Sequence, residues 1–64
     1  MPIIRVEMLK GRSPEQKRAL AQELTHAFVN AAGGNPEAVQ VVISDVDTVD
    51  WASGGVLYSD KGLK

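Results

Sequence analysis

Two residues near the start of the chain have types and positions suited to proton transfer on a small acid. Proline stands at position 2, and removal of an initiator methionine ahead of proline is common, which would leave Pro2 with a free secondary amine. A chain-terminal amine titrates near pH 8, well below lysine, and an apolar pocket with cations nearby lowers it further. Such a group is a competent general base near neutrality. While Met1 is attached, the same nitrogen is a tertiary amide with no basic lone pair. Arg12 follows ten positions later, where its guanidinium and the free N–H groups of a helix start can meet one carboxylate together. Taken singly, each residue has an ordinary explanation, a common second-position proline and a solvated turn arginine. Their context has to decide.

The remaining polar residues offer less. His26 falls about 200° around the helix from Leu24, opposite the apolar stripe, and reads as solvated. Asp45, Asp47 and Asp50 lack the spacing and glycine of a calcium loop and read as a solvated run. Glu7 and Glu15 read as surface and helix-start carboxylates. There is no cysteine and only one histidine, so neither a disulfide framework nor a Cys/His zinc site is available. No metal site is expected.

The elements that must carry Pro2 and Arg12 follow from local pattern. Pro2 to Leu9 alternates, with Ile4, Val6 and Met8 on one parity and Arg5 and Glu7 on the other, as a strand with one apolar face does. Gly11 to Ser13 turns the chain, and Ser13-Pro14-Glu15-Gln16 supplies an N-cap, a proline at the first helical position and glutamine at the third. Leu20, Leu24, Ala27, Phe28 and Ala31 form the apolar stripe of a helix of about 18 residues, with Val29 and Ala19 off it. Gly33-Gly34 ends the helix, Asn35-Pro36 turns, and Ala38 to Asp45 is rich in β-branched residues, predicting a second strand. A β-α-β order with a helical crossover predicts parallel pairing. From Val46 onward a loop, a short hairpin or arm near Trp51 to Tyr58 and a loose tail are expected.

Sixty-four residues make one domain, and a chain this short buries only about 60% of its unfolded surface. Two strands leave open edges, and the sheet face that includes Val42 has no helix to cover it. Without disulfide or metal, self-association is the expected support, and Trp51 is expected to pack on a neighbouring subunit. A formal net charge of −1 with no basic cluster disfavours nucleic acid and anionic membrane as partners. No apolar run approaches the roughly 20 residues of a membrane span, and no signal peptide is visible, so the cytoplasm is the expected location.

The segment from Pro2 through Gly11-Arg12-Ser13-Pro14-Glu15-Gln16-Lys17 closely resembles the start of the 4-oxalocrotonate tautomerase family. Members begin with proline and carry Gly-Arg-Ser/Thr-x-Glu-Gln-Lys at this distance. The similarity continues through Val39 to Asp45 and Trp51-Ala52-Ser53-Gly54-Gly55, so it spans nearly the whole chain as a single tautomerase-like domain, residues 1–64.

The resemblance implies an α+β fold: a β-α-β subunit with a short C-terminal hairpin or arm, pairing into a four-stranded sheet dimer and assembling as a homohexamer, a trimer of dimers, with sites at subunit boundaries. It implies an isomerase without cofactor or metal, in which Pro2 moves a proton between enol and keto forms of a 2-hydroxydienoate or 2-oxo acid. Arg12 would bind the far carboxylate of this small substrate, and Leu9 and Trp51 would wall the amine from water. Related proline chemistry, as in a hydratase, dehalogenase or decarboxylase, and a non-catalytic oligomeric binding protein are the alternatives.

One position departs from the pattern. Better-studied members carry a second arginine near the start of the second strand, facing the 1-carboxylate and 2-oxygen, and here that position is Gln40. An amide can hydrogen-bond a carbonyl but brings no charge, and charge-assisted bonds are roughly twice as strong. Arg5 is no replacement, since it lies four strand residues, about 13 Å, from Leu9. Ser53 stands where a bulkier apolar residue is usual, making the pocket more polar or roomier. These departures bear on the usual dicarboxylate substrate and leave proton transfer by Pro2 intact.

Overall fold

The computed structural model describes residues 1–62. Strand β1 runs Ile3–Leu9, helix α1 Pro14–Ala32 and strand β2 Gln40–Val46. The two strands pair in parallel, Ile3 beside Gln40 through Leu9 beside Val46. Parallel partners share a face, so Ile4, Val6 and Met8 line up with Val41, Ile43 and Asp45 under α1. These apolar residues are half-buried, whereas Ile3, Arg5, Glu7, Gln40, Val42 and Ser44 on the other face are exposed. The Lys17 ammonium on α1 pairs with the Asp45 carboxylate, fixing the first turns of the helix to the far end of β2.

The helix begins where its sequence says it should. Ser13 Oγ accepts from the Gln16 N–H at 3.2 Å and Gln16 Oε1 accepts from the Ser13 N–H at 2.9 Å, a reciprocal capping box with Pro14 at the first helical position. At the other end the Gly33 N–H donates to Val29 O at 2.8 Å, with glycine at φ 77°, a backbone state that costs other residues. Ser13→Ala is expected to destabilise the folded protein by about 1 kcal/mol, read as a lower urea midpoint at unchanged slope; an unchanged midpoint would remove the cap from this account.

Two expectations for the helix and the second strand need correction. The half-buried residues of α1 are Lys17, Leu20, Ala21, Leu24, Thr25, Phe28 and Val29, while Ala27 and Ala31 are exposed. The apolar count drew the stripe too far toward two alanines, whose small side chains add little to either face, and left Val29 outside it. Thr25 fits the stripe because its hydroxyl donates to Ala21 O at 2.8 Å, satisfying the polar atom locally. β2 also starts two residues later than Ala38, because Pro36–Ala38 forms a 3-10 turn capped by Asn35.

Beyond β2, a 3-10 turn at Thr48–Asp50 leads to a hairpin of β3, Ala52–Ser53, and β4, Val56–Leu57. Its turn residues Gly54 and Gly55 both have positive φ, the tight primed turn that glycine pairs favour. The loose tail expected after Tyr58 is instead a 3-10 turn over Tyr58–Lys61. Its first N–H donates to Trp51 O at 2.8 Å, and the two rings lie 6.2 Å apart at 48°. Trp51 is thus half-buried against its own arm within the single chain. Leu63 and Lys64 lie outside the described residues.

No described residue is buried. The accessible surface is 4751 Å², against about 4000 Å² for a compact monomer of this mass. The radius of gyration is 14.8 Å, against about 11 Å for a compact chain of this length. Ile3 and Val42 on the uncovered sheet face are 51% and 42% exposed. No described helix is long and apolar enough to cross a membrane.

Candidate active site

Pro2 sits immediately before β1 and is half-buried. Its carbonyl accepts from the Gln40 N–H at 2.9 Å, so the ladder holds Pro2 and Gln40 side by side at the N-terminal ends of the two strands. The parallel register decides this pairing, because it sets the start of β2 against the start of β1. Met1, which precedes Pro2, is 87% exposed.

The other candidates gather at the opposite end of the sheet. Leu9 closes β1 and is half-buried, and its carbonyl accepts from Arg12 Nη1 at 3.0 Å. Between them Gly11 has φ 136°, which turns the chain sharply into the capped helix start. Arg12 borders a shallow hollow of about 230 Å³ with Met8, Gln16, Lys17 and Leu20. Trp51 lines a second hollow, about 280 Å³, with Glu7, Val46, Asp50 and Ala52. Ser53 lies one step further along the arm, exposed, paired with Val56.

Within one chain, therefore, Pro2 meets Gln40 and Leu9 meets Arg12, while Trp51 lines a separate hollow beside the same end of β2; Pro2 meets neither Arg12 nor Trp51. Seven strand residues separate Pro2 from Leu9, about 23 Å, far more than a small enol acid spans. Any site that uses both groups draws them from different copies.

Charge around the second group is mostly committed. Lys10 Nζ reaches Asp47 at 3.0 Å, Lys17 pairs with Asp45, and Arg18 lies 3.9 Å from Glu15. The Lys10 hydrogen bond, then the Val49 N–H, lowers the Asp47 pKa below its ordinary value. With the folded-state pKa depressed, this interaction contributes fully above the ordinary carboxylate pKa and is lost as pH falls below it and through the lowered folded-state pKa. The acidic run is thus split among an ion pair on β2, a capped turn and the Trp51 hollow, and no three His, Cys, Asp or Glu side chains among the described residues gather to hold a metal ion. His26 is exposed on α1.

Sequence reasoning passed over Glu7 and Asp50 as lining residues. The parity of β1 already put Glu7 on the face of Leu9, but only the fold of the arm across that face brings Asp50 and Trp51 to it.

The tautomerase enzyme family model matches residues 2–61, so Pro2 opens the matched segment. A probable tautomerase of Staphylococcus epidermidis is 48% identical over 61 residues, covering 95% of this chain and all of that protein. The 2-hydroxymuconate tautomerase of Comamonas testosteroni is 40% identical over 62 residues, covering 97% and 98% of the two chains. Among solved structures, a heterohexamer 4-oxalocrotonate tautomerase from Chloroflexus aurantiacus superposes with a TM-score of 0.87 at 35% identity, over 94% of this chain and 97% of that one. With a proline-led β-α-β fold and near full-length agreement on both sides, the chain belongs to the tautomerase enzyme family.

Proposed function

We propose that this tautomerase interconverts enol and keto forms of a 2-hydroxydienoate or 2-oxo acid, using the Pro2 nitrogen as base after Met1 is removed. The amine takes the proton of the enol hydroxyl as the carbonyl forms, and the resulting ammonium returns a proton to carbon of the conjugated system. Atoms balance without cofactor or metal. Gln40, held beside Pro2, donates an amide hydrogen bond to the substrate oxygen as negative charge develops on it. Arg12 binds a carboxylate, and Leu9 and Trp51 exclude water so that the amine stays a free base near neutrality. Ser53 lines the outer wall.

Because Leu9, Arg12 and Trp51 lie a strand length from Pro2 in one chain, they act on the Pro2 of neighbouring copies. A homohexamer built as a trimer of dimers is the proposed assembly, supported by the absence of buried residues among those described and by the heterohexameric relative. The cytoplasm is its proposed location. The observation that supports the reading is the backbone bond from the Gln40 N–H to the Pro2 carbonyl, which holds Pro2 at a sheet end next to a residue with an amide side chain.

The test is to purify the protein, confirm by intact mass that Pro2 is terminal, and follow loss of the enol absorbance of 2-hydroxymuconate and of the enol of phenylpyruvate. Acceleration over buffer is expected for at least one. A proline-terminal protein that accelerates neither would overturn the reading.

A further inference from the structure

We infer that the site is built for a substrate with one carboxylate rather than two. This rests on the tautomerase reading above and concerns the charge that its pocket can balance. A dicarboxylate needs a cation at each end. Lys10, Lys17 and Arg18 are each within ion-pair distance of a carboxylate of their own chain, and Lys61 lies over the Tyr58 ring at 5.1 Å. Arg5 lies in the middle of β1 on its uncovered face, about 10 Å from the Pro2 end and about 13 Å from the Leu9 end. Among the described residues Arg12 remains: its guanidinium hydrogen-bonds the neutral Leu9 carbonyl at 3.0 Å and borders a hollow with Met8, Gln16, Leu20 and the Asp45-paired Lys17.

The residues beside the reacting groups add no positive charge. Gln40, whose backbone N–H donates to the Pro2 carbonyl, carries a neutral amide side chain. The Trp51 hollow carries two carboxylates, Glu7 and Asp50, neither in an ion pair among the described residues. A second carboxylate brought against Trp51 would meet like charge, and the repulsion grows as the closing pocket excludes water. A neutral or apolar end meets an indole face and a methyl group of Ala52 instead. Among the described residues, one uncommitted guanidinium, one neutral donor and two unpaired carboxylates therefore select a monoanionic enol.

The test compares kcat/KM for 2-hydroxymuconate, a diacid, with that for 2-hydroxypenta-2,4-dienoate, its monoacid counterpart, using the processed protein. The monoacid is expected to be favoured by about tenfold or more, and the preference to narrow as salt screens the repulsion. Gln40→Arg, and separately Glu7→Gln with Asp50→Asn, are each expected to move the ratio about fivefold toward the diacid, roughly the worth of one charged hydrogen bond over a neutral one. Oligomeric size and circular dichroism confirm that the variants fold, and the wild-type ratio and its salt dependence stand if they do not. A wild-type preference for the diacid, a ratio insensitive to salt, or folded variants that leave the ratio unmoved overturns the inference while the tautomerase reading survives. If neither acid is turned over by protein with a free Pro2, the inference falls, and the tautomerase reading falls with it only if the enol of phenylpyruvate is not turned over either.

Discussion

Pro2→Ala is expected to slow ketonisation of an enol acid by about 10²-fold or more, within the range of roughly 10²–10⁴ that a positioned general base contributes. Alanine also leaves a terminal amine, so some basicity remains. What is lost is the ring that fixes the nitrogen relative to the strand and makes the amine secondary. The fall should appear in kcat rather than KM, because the carboxylate contact at Arg12 is untouched. A form that keeps Met1 should lose more, since its amide nitrogen cannot accept the proton at all. For the wild type, kcat/KM should rise with pH through the amine pKa and then level off, and this limb should vanish in the Met1-retaining form. Equal rates for wild type, Pro2→Ala and the Met1-retaining protein would eliminate the proposed base.

The second large effect is on assembly. Val42→Asp places a carboxylate on the sheet face that no helix covers, where Val42 is 42% exposed in the single chain. In that single chain the change is benign. Position 42 pairs with Arg5 across the strands, and opposite charges directly opposite one another stabilise a sheet slightly. If another copy covers this face, the carboxylate becomes desolvated at a cost of several kcal/mol, a large share of the 5–15 kcal/mol that holds a typical domain together. The expected result is a shift to monomer in sedimentation and loss of a cooperative melting transition at temperatures where wild type is folded. Activity should vanish with assembly, because Pro2 would lose the Leu9 and Trp51 of its neighbours. Native size and melting temperature in the variant would show that the face is free. Gln22→Asp, at an exposed position of α1, serves as the control and should leave both unchanged.

Most of the fold was legible because it is set by short-range chemistry. Ser13, Pro14 and Gln16 define the start of α1 within four residues, Gly33 ends it, and the parity of Ile4, Val6 and Met8 identifies the covered face. The misplacements occur where propensity is silent. Ala27 and Ala31 fit either side of a helix, and the Tyr58–Lys61 turn depends on a backbone bond to Trp51 that no local pattern announces. For the candidate site, the residue types of Pro2, Arg12 and Gln40 suggested the proposed chemistry, and the resemblance implied their roles.

By itself the sequence determined the type of the helix and of the two long strands, the direction of strand pairing and the presence of a proline and an arginine ten residues apart, since capping and alternation act over a few residues. Tertiary structure alone decided who stands beside whom. The parallel register sets Pro2 against Gln40 and a full strand length from Leu9, and the arm folds Trp51 and Asp50 over Glu7. Those contacts join residues far apart in the chain, where local propensity carries no information and only the closing of the sheet and the packing of the arm fix the distance.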